Sequence, residues 1–488
     1  MRSWVGRMAA LAALLTITCA PVAHAGGRQP QQQLREDASR TWASLAAMTD
    51  ASSGLPADAL NADGTTSVQT STTNIGAYLW SAVAARRLGI IGDGELVTRL
   101  SRTIATLERM ERYGDTGQYY NWYDHRTGAK LTTWPPSGAP LQPILSSVDN
   151  GWLATGLKIV ANSVPQLRRR ASALYDAMNF GFYYRSGPNR VLFHFVPDTG
   201  AEACCYDTVV SESRIVDYVG IGRGQIPQKA YYGRWRTFPD TCDWSWQETK
   251  PVGVTRQYFG VDVFEGAYEY NNTRVVPSWG GNLFEALMPA LFVPEEKWAP
   301  ASWGANHPLT VQAQIHHGLE EAGYGYWGFS ASNTPEGGYS TYGVDGASLN
   351  PSGEASNEDK TLVDHGFAGC PNRPAVPDPP QSAYTNGVVT PHASFLALRY
   401  APDAARDNLR RLAQKFPGLY TKWGFRDSVN VDSGRVSNAY LSLDQGMIMA
   451  ALGNALGDDV LRRAFADRDL ERGLRPVIGV ERFNTSGR

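Results

Sequence analysis

The chain has 488 residues, with 45 Lys and Arg against 47 Asp and Glu and a formal net charge of −2. Acids and bases are interspersed and form no basic stripe, which argues against nucleic acid as a partner. The 14 Trp and 23 Tyr offer rings with an apolar face and a polar tip. These suit sugars, whose C–H faces stack while their hydroxyls need hydrogen bonds, although any one ring can equally be core packing.

Arg2 and Arg7, the apolar run from Met8 to Cys19, and Ala23-His24-Ala25 follow the pattern of a secretory signal over residues 1–25. Thr18 is a poor residue before a lipidated Cys19, so a secreted or periplasmic protein without a lipid anchor is expected. No later stretch approaches the roughly 18–20 apolar residues of a membrane span. Residues 26–33 read as a disordered leader, and residues 34–488 as a single catalytic domain, expected to be monomeric. Export leaves Cys204, Cys205, Cys242 and Cys370, an even number in an oxidising compartment. Adjacent cysteines rarely pair, so one of Cys204 and Cys205 is expected to bond Cys242 and the other Cys370.

Apolar residues at three and four spacing predict helices over Leu34–Met48, Asn74–Leu88, Glu95–Tyr113, Ser147–Ala161, Pro165–Met178 and Glu212–Gly222. Further helices are expected over Asn282–Phe292, Thr310–Ala322, Pro391–Tyr400, Pro402–Lys415, Leu441–Leu456 and Asp458–Ala466. Alternation over Gly181–Val196 and Gln257–Val276 predicts short hairpins. About a dozen helices with few strands imply an all-α fold, an (α/α)6 toroid in which an inner ring sits within an outer one. Short β-hairpins and long loops then gather at the active-site end. The longest irregular stretch, Glu336–Tyr384, reads as either an ordered substrate-side loop or a mobile lid.

Cleaving a glycosidic bond takes two carboxyl groups, one to protonate the leaving oxygen and one to activate water or attack. Acids stand among aromatics in Asn121-Trp122-Tyr123-Asp124, Ser146-Ser147-Val148-Asp149-Asn150-Gly151-Trp152, Ser211-Glu212-Ser213-Arg214 and Leu443-Asp444-Gln445-Gly446. Each lies at or just before a predicted helix start, where an acid can instead be an N-terminal cap. Trp122, Tyr123, Trp279, Trp327 and Tyr339 fall in loops beside these acids as sugar platforms or packing. Arg214 would steer a substrate hydroxyl, hold a carboxylate ionised, or serve a structural ion pair. His316-His317 lack a third ligand at metal spacing and the cysteines lack Cys-x-x-Cys pairs, so no metal and no cofactor are expected. Glu248 and Glu265 are aromatic-flanked acids that suit the substrate end or salt bridges to Arg256 and Arg274.

Thr70-Ser71-Thr72-Thr73-Asn74-Ile75-Gly76, Asn121-Trp122-Tyr123-Asp124, Ser147-Val148-Asp149, Ser278-Trp279-Gly280-Gly281-Asn282-Leu283-Phe284-Glu285 and Leu443-Asp444-Gln445-Gly446 resemble the motifs of glycoamylase-like domains, in the same order. That group includes secreted endo-β-1,2-glucanases and the catalytic parts of cyclic β-1,2-glucan synthases. The resemblance implies the helical toroid and a β-glucan substrate, first of all a β-1,2-glucan. It assigns Glu212 as the acid that protonates the leaving oxygen, directly or through a substrate hydroxyl, and Asp444 as the carboxylate that activates water. Asp149 and Asp124 resemble further acids of the cleft, and His392 stands where the family approaches it. Retaining relatives carry a glutamate nucleophile where this chain has Ala331, which implies inversion, with the two carboxyls about 6.5–9.5 Å apart. Glu336, in the loop beside Ala331, is the second choice for an acid or base should Asp444 prove structural. Hydrolysis of another glycan on the same barrel and a non-catalytic, carbohydrate-binding envelope protein are the competing readings. A uronate lyase would need a basic cluster or a metal, and the acids here point away from it.

Overall fold

The computed structural model describes residues 28–238, 250–349, 366–370, 373–375 and 380–485. The signal segment, Cys242 and Glu248 lie outside them. Of the described residues, 47% are helical. Its helices are α1 (Arg28–Met48), α2 (Thr72–Arg87), α3 (Asp93–Arg109), α4 (Ser147–Ser163), α5 (Arg168–Ala177), α6 (Arg214–Gly222) and α7 (Leu283–Leu287). They continue with α8 (Glu295–Trp298), α9 (Trp303–His316), α10 (Pro391–Leu396), α11 (Pro402–Lys415), α12 (Ser442–Gly457), α13 (Val460–Phe465) and α14 (Arg468–Ile478).

Burial sorts these helices into two kinds. α2, α4 and α12 are buried around nearly their whole circumference, as small and apolar residues on every face require. α3, α5, α11 and α14 bury a single stripe, such as Leu96, Leu100, Ile104 and Leu107 on α3. α2 packs on α4 and α12, α4 on α6, α7 on α10, and α10 on α12. Half-buried helices cover them from outside: α3 on α2, α5 on α4, α14 on α6, α9 on α7 and α11 on α10. Glycine brings the inner helices to backbone contact. A Cβ on Gly76 would stand 2.5 Å from the Trp152 carbonyl oxygen, and one on Gly156 would stand 2.8 Å from the Gly76 carbonyl oxygen.

Short ladders pin the starts of the inner helices. Ala59–Asn61 pairs antiparallel with Ala439–Leu441 ahead of α12, and Gln69–Thr70 with Tyr123–Asp124 ahead of α2. Leu145–Ser146 pairs with His194–Phe195 ahead of α4, and Val388–Val389 with Val429–Asn430 ahead of α10. The expected hairpins are present as Tyr184–Arg185 with Arg190–Val191, and as a three-stranded sheet of Val252–Tyr258, Val261–Tyr270 and Thr273–Val275.

Several expectations are corrected. Helix α1 begins at Arg28, so residues 28–33 of the expected disordered leader are helical; Leu34, Ala38, Trp42 and Leu45 bury the stripe that carries it. The helix expected over Asn282–Phe292 stops at Leu287 and passes into a 3-10 turn at Pro289, because proline donates no backbone bond. The helix expected from Thr310 begins at Trp303 and ends in a π turn over His317–Glu321. α14 is unanticipated; its buried Leu470, Leu474, Val477 and Ile478 lie among charged residues, and Asp467 caps it. Cys204 and Cys205 face each other as an adjacent pair, the pairing that sequence reasoning disfavoured. Among the described residues no helix is long and apolar enough to cross a membrane.

Candidate active site

Acidic side chains collect where the inner helices begin. Asp149 lies in the first turn of α4, Glu285 in that of α7 and Asp444 in that of α12, while Glu212 precedes α6 and His392 follows the first residue of α10. The capping alternative fails for the sequence-predicted acids among them. Ser146 caps α4 by accepting from Asp149 N, Asn282 caps α7, and no side chain caps α6 or α12. Helix N-termini favour negative charge, which opposes the cost of burying carboxylates here.

Glu212 is half-buried. Its Oε2 accepts from Trp152 Nε1 at 2.5 Å, and its backbone N–H donates to Glu285 Oε2 at 2.8 Å. Burial first, then the Glu285 carboxylate and Asp149, push the Glu212 carboxyl well above its ordinary range, while the Trp152 N–H opposes the shift. Glu285 is pushed up to about 7 by burial, against the Ser211 hydroxyl, the Glu212 N–H, Arg214 and Arg234. Asp149 accepts from Thr73 Oγ1 at 2.6 Å and from Asn121 Nδ2 at 3.2 Å.

Asp444, Asp427 and His392 form a second, buried group. His392 Nδ1 lies 2.7 Å from Thr390 Oγ1 and 3.2 Å from Asp444 Oδ2, and the Thr390 hydroxyl donates to the Asp427 backbone oxygen at 2.7 Å. That chain assigns the imidazole proton to Nδ1, and burial holds the His392 pKa down to about 4. Burial pushes Asp444 up to about 7, against its contact with Asp427, and Asp58 adds to the rise. Burial and then Asp444 drive Asp427 well above the carboxylate range. His392 Nε2 has no hydrogen-bond partner among the described residues, and the Asp444 and Asp427 side chains hydrogen-bond each other, which is stable only if they share a proton or a cation. Sequence spacing gave no hint of it, but these three side chains bring ligand atoms within 4.8 Å of one another and could hold a metal ion.

Tyr339 links the two groups. It is 56% exposed, yet the protein crowds it; burial and then Asp444, Glu212, Asp427 and Glu285 raise its hydroxyl well above the usual range. The ring is thus open to solvent and within electrostatic reach of both acid groups. The hairpin of Ser332–Asn333 and Tyr339–Ser340 places it there, anchored by Asn333 N donating to Asp427 Oδ2 at 2.5 Å. Ala331 is buried directly before that hairpin, and Glu336 is exposed in its turn.

The structure thus brings together Glu212, Asp444, Asp149, His392 and Tyr339. Trp279 is half-buried beside Phe193 and Tyr206, and the Tyr206 hydroxyl feels Glu212 and Asp149. Half-buried Trp122 packs on Trp134 and follows Asn121, the partner of Asp149. Four expected contacts are placed elsewhere. Tyr123 is fully buried, with its hydroxyl donating to the Glu111 backbone oxygen at 2.6 Å, and Trp327 is 2% exposed, so neither offers a face to a sugar. Asp124 is held by Arg126 in a hairpin turn. Arg214 has no exposed surface; its guanidinium forks onto Glu295 at 2.7 and 3.0 Å and onto three backbone oxygens. Of its three readings, the structural ion pair is the one present, and with His307 it holds Glu295 down to about 2 against the effect of burial. Glu265 faces Arg236 at 3.9 Å, with Arg256 adding a weaker attraction, while Arg274 pairs with Glu269.

Sequence reasoning missed Asp58, Glu285 and Asp427. Glu285 closes the quoted Ser278–Glu285 motif and was the one within reach.

Residues 249–468 match the family model described as "Putative glucoamylase", and residues 36–186 match one described as a protein of unknown function. The resemblance to glycoamylase-like proteins read from the motifs is thereby borne out. Among particular relatives, the cyclic β-(1,2)-glucan synthase NdvB of Rhizobium meliloti is 23% identical over 573 aligned residues. The match covers 89% of this chain but only 18% of that protein's length. An endo-β-1,2-glucanase from Chitinophaga pinensis, solved with sophorotriose and glucose, is structurally similar with a TM-score of 0.63 and 17% identity. That match covers 93% of this chain and 98% of the other. An endo-β-1,2-glucanase from Talaromyces funiculosus, solved with sophorose, has a TM-score of 0.63 and 14% identity over 93% of this chain and 89% of its own.

Proposed function

We propose that the chain is an exported glycoside hydrolase that cleaves a β-glucan, first of all a β-1,2-glucan, with inversion. One observation carries this reading. Two separate carboxyl groups, each perturbed by its own neighbours, both act on the hydroxyl of Tyr339, whose ring is open to solvent. Pairs of acids with environments tuned apart are what acid and base assignments require.

Glu212, protonated among Glu285 and Asp149 and fixed by Trp152, donates its proton to the leaving glycosidic oxygen, directly or through a substrate hydroxyl. Asp444 takes a proton from the water that attacks the anomeric carbon on the opposite face. The C–O bond breaks as the new one forms, Glu212 ends ionised and Asp444 protonated, and exchange with solvent restores both. Trp279, Trp122 and Tyr339 supply ring faces along the path. Ala331 leaves no carboxylate nucleophile at that position, which supports displacement by water. The inner and outer helices described above are read as a closed (α/α)6 toroid with its acids at one mouth. The relatives named for β-1,2-glucan support the linkage. Incubation of the purified chain with a panel of glucans tests the reading; cleavage of other glycans in preference to any β-glucan would redirect it.

A further inference from the structure

Glu285 neither gives nor takes a proton in the reaction just described, yet it is held close against Glu212. Asn282 caps its helix by accepting from Glu285 N at 2.9 Å, and its Oε2 accepts the Glu212 backbone N–H at 2.8 Å. Arg214 staples the two segments together, donating to the Ser211, Glu285 and Ala286 backbone oxygens at 2.8, 3.0 and 2.7 Å. Its guanidinium is in turn locked on buried Glu295. Glu285 therefore has no freedom to swing away from Glu212.

We propose that Glu285 is a positioning residue whose fixed negative charge keeps the transferable proton on Glu212. The inference rests on the reading of Glu212 as proton donor. The distribution of donors says which of the two acids is ionised. Arg214 acts on both carboxyls, but Glu285 also receives the Glu212 N–H and the Ser211 hydroxyl and lies near Arg234, whereas among the described residues Glu212 receives the Trp152 indole and faces Asp149. Both guanidiniums are already matched, Arg214 by Glu295 and Arg234 by Asp217. The other titratable groups facing the pair are the Tyr206 and Tyr339 hydroxyls, with Asp427 and Asp444 beyond Tyr339. No unmatched cation faces Glu212 among the described residues, so a proton held by the pair settles there.

Glu285→Gln tests this, because the amide oxygen still accepts the Glu212 N–H while the charge is gone. The full chain is labelled with [5-13C]glutamate, and the Glu212 carboxyl resonance is identified by its loss in Glu212→Gln. Removing the negative neighbour makes Glu212 easier to ionise, so its titration midpoint falls by about one unit or more, a tenfold change in proton affinity. The alkaline limb of kcat/KM on β-1,2-glucan moves to lower pH by the same amount. A midpoint within about 0.3 units of wild type overturns the proposal, since a merely structural Glu285 would leave it in place. Should Glu285→Gln fail to fold, the wild-type chain decides: the Glu212 resonance must respond to the titration of Glu285 as well as its own, and a single independent step overturns the proposal. Hydrolysis persisting in Glu212→Gln would remove the proton-donor reading while leaving the titration result standing.

Discussion

Replacing Glu212 by glutamine removes the transferable proton and little else. The amide oxygen can still accept from Trp152 Nε1, and the backbone N–H that donates to Glu285 is untouched, so fold and substrate binding are retained. Loss of a positioned general acid costs on the order of 10²–10⁴-fold in rate, about 3–5 kcal/mol of transition-state stabilisation. A purely structural hydrogen bond would cost about 1 kcal/mol of stability and little activity. Stability itself carries a sign. The folded-state pKa of Glu212 lies above the ordinary 4.5, so the native state holds the proton more tightly than the unfolded chain. Wild-type stability from this group is present below about 4.5 and is lost as pH rises through the folded value. Glutamine does not titrate, so the melting temperature of Glu212→Gln gains on wild type as pH increases from 4.5 upward. The assay pairs β-1,2-glucan with a glucoside bearing an activated aryl leaving group, which needs less protonation and should be spared. A variant that melts normally and keeps turnover of the natural glucan within roughly tenfold would refute the acid role.

Asp444→Asn should abolish hydrolysis on both substrates, because the water needs its base whatever the leaving group. With Asp444 near 7, wild-type kcat/KM should fall as pH drops through about 7, a limb that initial rates would reveal as present or absent. Arg214→Met strands buried Glu295 without its charge partner and should cost about 3–5 kcal/mol, read as a lowered denaturation midpoint. Full stability in that variant would contradict the staple described here. Activity should survive exhaustive chelation, since two-carboxylate hydrolysis needs no metal. Loss restored by a divalent cation and abolished by His392→Ala would place an ion on His392, Asp427 and Asp444 instead.

The inner helices were legible because their patterns are long: α2, α4 and α12 each begin within two residues of the expected start. What escaped the sequence was set by tertiary contact. α14 carries its apolar stripe among arginines and contains Pro476, which masks its period. Glu212 and Asp444 could be named from motifs, but the partners that perturb them could not. Asp427 lies in a loop, two residues before the strand Val429–Asn430 that pairs with Val388–Val389, so its approach to Asp444 depends on a long-range pairing. Tyr123 and Arg214 sit beside acids in the chain and looked functional for that reason. Their complete burial depends on how the strand and α6 pack, which composition does not encode.

The most direct test is the early time course of β-1,2-glucan cleavage by the purified chain, followed by proton NMR at the anomeric signals. The account predicts shortened β-1,2-linked products whose newly formed reducing ends appear first as the α anomer and then mutarotate. New ends appearing first as the β anomer, or an intact β-1,2-glucan beside a cleaved glycan of another class, would contradict it.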